Sequence, residues 1–181
     1  MTQRNAHPTD VQRLDALLRD FVRLLAELCR LNGELLQAIR DKRDAMKRGH
    51  VGDIAAAVER EGNLIATIRE RDGFRRQLMA QIGRSLREPE LKARKWRAKD
   101  LVARVPAGWG RDIQQASGAL REVIEEVTRE NRACDAIAGG VVDHLSQVFG
   151  WVGSGAGPAV GYDPKGRPIS TREQRLIEAV G

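Results

Sequence analysis

The feature that most constrains this chain is a row of apolar residues near its N-terminus, spaced three and four residues apart without interruption. This spacing places every member on one face of an α-helix, in the a and d positions of a heptad repeat. Further apolar residues fill neighbouring e positions, and so wide a stripe needs at least two packing partners. The sequence therefore predicts a helix inside a bundle. The a and d residues are Leu14, Leu17, Phe21, Leu24, Leu28, Leu31 and Leu35, and the e residues are Leu18, Leu25, Ile39 and Met46.

A second helix is predicted directly after this first one. The first helix is expected to run from a Thr9 cap to about Arg48, where Gly49 supplies a turn. The second is expected from Asp53 to about Gly83, although interior glycines weaken it. Because the connection between them is short, the two helices should be antiparallel neighbours.

A third long helix is predicted from about Asp112 to Phe149, where apolar residues again recur at helical spacing. Cys134 is expected in the core, and His144 is expected to be partly buried on the same seam. With 41% hydrophobic but only 4% aromatic residues, the composition is typical of helical bundles. We therefore predict an all-α fold, an elongated antiparallel bundle of three long helices over residues 9–149. The third seam comprises Ile113, Ala116, Leu120, Val123, Val127, Cys134, Ile137, Val141 and Val148, with Ile124, Ala138 and Leu145 beside it.

The net charge of +6 is concentrated between Arg84 and Arg104, which hold eight basic residues against three acidic ones. Pro89 interrupts any helix from upstream, and residues 106–110 are predicted to form a loop. Between them we expect a short basic connector helix around Trp96. Its cluster of Arg94, Lys95, Trp96 and Arg97 is predicted to be a secondary docking patch for an acidic protein. Nucleic-acid binding by these cations, or a solvated connector with its tryptophan packed on the bundle, are the alternatives.

No pattern in the sequence points to catalysis. The two cysteines and three histidines are widely separated, and no known catalytic or nucleotide-binding motif occurs. We therefore expect no enzymatic activity, no cofactor and no metal site. Two isolated cysteines fit a reducing cytoplasm. Residues 1–8 are expected to be disordered, and the chain is expected to have neither a signal peptide nor a membrane span.

The composition changes sharply after Phe149. Residues 150–168 are rich in glycine and proline and predict a flexible linker. Ser170 and Glu173 then form a capping box for a short amphipathic helix over residues 169–181. Its apolar face either binds a partner helix or folds back on the bundle. The predicted partner-binding residues are Ile169, Leu176, Ile177 and Val180.

The order of these segments resembles the FlgN-type flagellar export chaperones. The likeness includes the leucine-rich first helix, acidic and basic residues through the middle of the second helix, and Asn131 in the third. It continues into a glycine-bearing arm with Tyr162 and Gly166, followed by Ile169 to Val180. Asp163 stands where the family usually has a glycine, and the basic segment around Trp96 is not a family feature. The acidic and basic residues of the second helix that contribute to the likeness are Glu59, Glu61, Glu70 and Arg71.

The resemblance implies a cytoplasmic, non-enzymatic chaperone that binds hook-filament junction proteins and brings them to the type III export apparatus. Such a protein is expected as a monomer or homodimer, without a small-molecule substrate. The family implies client binding near the C-terminus, which agrees with the residues assigned above. Two alternatives are a nucleic-acid-associated helical protein acting through residues 84–104, and a structural coiled-coil adaptor.

Overall fold

The computed structural model describes residues 8–93, 95–155, 161–162 and 168–169. As predicted for the all-α class, most of these residues are helical. The others are in turns between helices and in one short antiparallel strand pair, which the sequence does not predict. No helix in this part of the chain is long and apolar enough to cross a membrane. The elements are α1 (Pro8–Arg48), α2 (Val51–Ser85), α3 (Glu90–Ala93), α4 (Ala98–Val102), α5 (Ala107–Gly155), β1 (Gly161–Tyr162) and β2 (Pro168–Ile169).

The chain divides into two compact units, one ending at Ile137 and the other beginning at Ala138. In the first unit, α1 and α2 form an antiparallel hairpin, as predicted. The turn residue Gly49 has a φ of 70°, a left-handed conformation that glycine adopts without steric cost. The backbone N–H groups of Gly49 and His50 bond to carbonyls of the last turn of α1, both at 3.1 Å. The glycine therefore ends α1 where the sequence indicates.

Two helix starts differ from the prediction. Helix α1 begins at Pro8, so Thr9 is a helical residue rather than the cap in front of the helix. Proline suits the first turn because that turn leaves its N–H groups unpaired. Helix α2 begins at Val51, ahead of the predicted cap Asp53. The turn between α1 and α2 is therefore shorter than expected.

The main core cluster contains residues from α1, α2, α5 and the connector between α2 and α5. Phe21 is its largest member from α1 and is 1% exposed, while Ile113 of α5 is fully buried. Since each element contributes apolar side chains to one cluster, burial of their surface is the main force that holds the unit together. The buried members are Leu18, Phe21, Leu25, Met79, Ile82, Ala93, Trp96, Leu101 and Ile113.

The connector differs from the predicted single basic helix. Two short helices, α3 and α4, flank Trp96, which is itself not helical and is 6% exposed. The guanidinium carbon of Arg104 lies 4.7 Å from the centroid of the Trp96 ring, in cation–π geometry. Its core position confirms the interpretation in which this tryptophan packs on the bundle.

The predicted loop at residues 106–110 is instead the first turn of α5. Pro106 precedes the helix, and its carbonyl accepts a bond from the N–H of Gly110 at 2.9 Å. Trp109 Nε1 donates to Asp15 Oδ1 at 2.9 Å, which ties this turn to α1. The glycines suggested a loop, but this tertiary contact outweighs their low helix propensity.

Helices α1 and α5 are also in contact through ion pairs and a smaller core cluster. Arg40 Nη2 lies 3.0 Å from Glu126 Oε2, and Arg43 Nη1 pairs with Glu130. Cys134 is 3% exposed and its Sγ lies 3.7 Å from the carbonyl oxygen of Ile39. Burial raises the pKa of the Cys134 thiol. Cys134 is therefore a core residue, as predicted.

Glu61 of α2 is a nearly buried charge that is paired. It is 9% exposed, and its Oε2 lies 2.7 Å from Lys42 Nζ of α1. A carboxylate removed from water needs a partner of opposite charge, because its lost hydration costs several kcal/mol, roughly. The pair fixes α1 and α2 at one relative position along their lengths.

Asp72 gives α2 a pH-dependent contribution to stability. Partial burial would raise the pKa of this carboxyl, but hydrogen bonds from Arg75 at 2.7 Å and Arg76 at 2.6 Å outweigh it and lower the pKa. We expect Asp72→Asn to lower the free energy of unfolding at neutral pH by up to about 1 kcal/mol, since the group is partly solvent-screened.

The difference between wild type and Asp72→Asn should disappear in acid. A carboxyl with a lowered folded pKa stabilises the protein fully above its unfolded value and loses that effect as the pH falls through the folded value. Urea unfolding at neutral pH and at a pH below the folded value tests this, with Asp135→Asn at an exposed position of α5 as control. A loss that is independent of pH would contradict the ion-pair explanation.

In the second unit, α5 continues to Gly155, so the predicted linker at 150–168 begins inside a helix. Gly161 pairs with Ile169, and Tyr162 pairs with Pro168. Within the predicted linker, residues 150–155 are therefore helical, and residues 161–162 and 168 are in strands.

Candidate functional site

The predicted partner-binding residues at the C-terminus lie almost wholly outside the described residues. Leu176, Ile177 and Val180 belong to that group. The sequence predicts Ile169 to be in a helix, but this residue is in strand β2. Its pairing with Gly161 holds its backbone extended.

The four residues of the predicted docking patch on the connector are not all exposed in the structure. Lys95 and Arg97 are exposed, whereas Arg94 lies outside the described residues. Trp96 is a core residue, so its ring is not offered to a partner or to a nucleic-acid base. A stacking platform for bases needs an accessible aromatic face. What remains at the surface is cationic charge alone.

The described residues carry a different apolar surface, near the end of α5. Val141 is 52% exposed, Val142 61%, Leu145 47% and Phe149 69%. These four residues are separated by one, three and four positions, so they form one stripe along the helix. We call this stripe the α5 apolar face. An exposed row of large apolar side chains is typical of a surface that another protein covers.

Few charges interrupt the α5 apolar face. Between Ala133 and Phe149 the charged residues are Asp135 and Asp143, with one histidine, His144. Low charge at the centre of a contact surface favours burial against an apolar partner, because charged groups lose hydration there. The face is therefore suited to pack against one side of an amphipathic helix.

The sequence pattern placed Val141 and Leu145 in the bundle seam, and this expectation is wrong. His144, expected to be partly buried, is also exposed. Apolar periodicity identifies which side of a helix can be buried, but it does not identify what buries it.

The acidic, histidine and cysteine side chains of the described residues do not form a metal-binding cluster. Across the ranges 8–93 and 95–155 and the two strands, no three His, Cys, Asp or Glu side chains are grouped so that they could hold a metal ion. The α5 apolar face has no nucleophile paired with a base, as nucleophilic catalysis requires. Its available interaction is hydrophobic contact with another macromolecule.

Comparison with known proteins identifies the family. The profile described as FlgN protein matches residues 17–169. No curated protein and no solved structure gives a significant match. The matched range includes most of α1, all of α2 and the whole of α5, and thus the α5 apolar face. A match over so much of the chain confirms the resemblance inferred from the order of its segments, and the chain belongs to the FlgN family.

Proposed function

We propose that this protein is a cytoplasmic flagellar export chaperone that binds hook-filament junction proteins. It keeps these clients from assembling prematurely and delivers them to the type III export apparatus. Family membership supports the chaperone role. The observation that carries the proposal is the α5 apolar face, where Phe149 is 69% exposed and its neighbours 47–61%.

The proposed mechanism is reversible burial of apolar surface. A client helix that would otherwise associate with another client packs its apolar side on the α5 apolar face. Complete burial of one valine, leucine or phenylalanine side chain contributes about 1.5–3 kcal/mol, so partial burial of four offsets part of the free-energy cost of association. No nucleotide is needed, because binding and release depend on competing protein surfaces.

The C-terminal segment extends this proposal. Leu176, Ile177 and Val180 are proposed to contact the client together with the α5 apolar face. Both surfaces belong to the second unit of the chain, which begins at Ala138. A client helix held from two sides loses more apolar surface to the complex than one held from a single side, which favours affinity. The protein is proposed to act as a monomer or homodimer.

Charge placed on the α5 apolar face should weaken client binding. We expect Leu145→Glu combined with Phe149→Glu to weaken binding to a hook-filament junction protein at least about tenfold, because two carboxylates would lose hydration in the complex. Isothermal titration calorimetry with the purified client measures the effect. The fold should be unchanged, since both side chains are exposed.

The matched control is Phe74→Glu, which places the same charge at an exposed phenylalanine of α2. This variant should bind the client as the wild type does. A chain ending at residue 169 provides a second comparison and should bind more weakly than the full chain. Wild-type affinity in the Leu145→Glu, Phe149→Glu protein would exclude the α5 apolar face as the client site.

A further inference from the structure

A second candidate surface lies in the first unit, between the connector and the beginning of α5. It is a groove of about 870 Å³. We call it the α4–α5 groove. Three cationic side chains line it, Arg97 and Lys99 from the start of α4 and Arg121 from α5. The other lining residues are Ala98, Val102, Gln114, Ser117 and Gly118.

The three cations of the α4–α5 groove are available to a ligand. All three are exposed, and none forms an ion pair with an acidic side chain in the part of the chain that the structure describes. The nearest acidic residue in sequence, Asp100, is occupied elsewhere, because its Oδ2 accepts the backbone N–H of Arg97 at 2.8 Å. The groove therefore combines three positive charges with no acidic lining residue.

The floor of the groove is made of small and apolar groups. Ala98 and Val102 line it from α4, and Ser117 and Gly118 from α5. A Cβ atom added at Gly118 would meet nothing within 4 Å, so there is open space above this residue. The hydroxyl of Ser117 donates a hydrogen bond to the carbonyl oxygen of Gln114 at 3.2 Å, so a ligand need not supply an acceptor for it. Such a floor accepts compact apolar side chains.

We propose that the α4–α5 groove binds an acidic, amphipathic peptide segment of a partner protein. Carboxylates of this segment pair with the three cations, and its small apolar side chains pack on the floor. Charge complementarity selects the partner, because like-charged or neutral segments gain nothing from the cations. The site goes beyond the proposed client binding, since it lies in the first unit and recognises charge.

A peptide fits the groove better than a nucleic acid does. Nucleic-acid grooves combine a track of cations with accessible aromatic rings. The aromatic residue of the connector, Trp96, is 6% exposed and belongs to the core. Three cations surround an apolar floor. The phosphates of a nucleic acid could pair with the cations, but they have no apolar groups to pack on this floor. The observations therefore favour carboxylates on an amphipathic segment.

The proposal can be tested with a fluorescein-labelled peptide of about three helical turns, with glutamates on one face and alanine and leucine on the other. Its affinity for the full chain is measured by fluorescence anisotropy at low and at moderate salt. Lys99→Glu combined with Arg121→Glu is expected to weaken binding about tenfold or more, because two attractions become repulsions. Arg132→Glu, on an exposed position of the same helix outside the groove, should retain wild-type affinity.

A steric variant tests the floor independently of charge. Gly118→Trp should block the groove, whereas Gly62→Trp should leave binding unchanged; a Cβ atom added at either glycine meets nothing within 4 Å. Circular dichroism verifies that all variants are folded. The proposal is overturned if the wild type does not bind the peptide, or if the groove and control variants behave alike. Tighter binding of single-stranded oligouridine than of peptide, weakened by the same charge reversals, would also overturn it in favour of nucleic acid.

Discussion

Replacing Phe21 with alanine is expected to lower the free energy of unfolding by about 3–5 kcal/mol. The side chain is 1% exposed and lies in the cluster that joins α1, α2, α5 and the connector. Its loss removes buried apolar surface and leaves a cavity in a closely packed core, which the surrounding side chains can fill only in part. Urea unfolding followed by far-ultraviolet circular dichroism measures the change.

Phe74→Ala is the matched control for this prediction. Phe74 is 44% exposed on α2, where the Arg71 guanidinium carbon lies 5.5 Å from its ring centroid. Loss of this exposed cation–π contact should cost no more than about 1 kcal/mol. Equal losses for the two phenylalanines would show that Phe21 is not at the centre of the core.

Replacing Gly83 with alanine is expected to lower stability by about 1–3 kcal/mol, although alanine is the better helix former. A Cβ atom at this position would lie 2.2 Å from the Cβ of Ala93, far inside van der Waals contact. The Ala93 side chain is a single methyl group and cannot rotate out of the way, so α3 would have to move away from α2. Thermal and urea unfolding of the purified variant measure the loss.

Gly62→Ala supplies the opposite expectation on the same helix. Nothing lies within 4 Å of a Cβ atom added at Gly62. This variant should therefore stabilise the protein by about 0.5–1 kcal/mol through helix propensity alone. Two identical substitutions in α2 are thus expected to have effects of opposite sign.

A double variant identifies the contact responsible. Gly83→Ala combined with Ala93→Gly exchanges the methyl group between the two helices and should recover most of the lost stability. The corresponding double-mutant cycle should give a coupling energy of about 1 kcal/mol or more. Strictly additive effects would mean that α2 and α3 do not approach each other at these residues.

The sequence predicts α1 and its buried side well because the relevant information is local. A helical repeat within one segment indicates which residues share a face, and the buried α1 members of the two core clusters belong to the predicted a, d and e rows. Leu18, Phe21 and Leu25 are buried as this pattern requires. Gly49 likewise marks the end of α1, since its left-handed backbone is a property of a single residue.

The connector could not be predicted in the same way. Trp96 is surrounded in sequence by cations, which suggests a solvated segment, and only its contacts with distant helices make it a core residue. The first turn of α5 similarly depends on the bond from Trp109 to Asp15, a residue of α1. Local composition cannot reveal stabilisation that comes from a residue so far away along the chain.

The proposed α5 apolar face differs from the partner-binding residues that the sequence predicts. The sequence placed partner binding at the C-terminal end and chose residues 169–180 for it. The exposed residues that the structure adds, Val141, Leu145 and Phe149, come directly before that region. Their signal in the sequence is a low-charge apolar stretch at the end of the third predicted helix. Its helical spacing predicts a core position, but periodicity does not identify which partner covers an apolar side.

The buried connector has a consequence for rearranging the chain. A segment with two prolines and many charges resembles a permissive site for a tag, an inserted domain or new termini, but its Ala93, Trp96 and Leu101 side chains are part of the core. Sites that tolerate such changes are exposed and carry few buried contacts. The turn at Gly49 and His50, whose residues are exposed, meets this description. It is therefore the place to open the chain for a split reporter or a circular permutant.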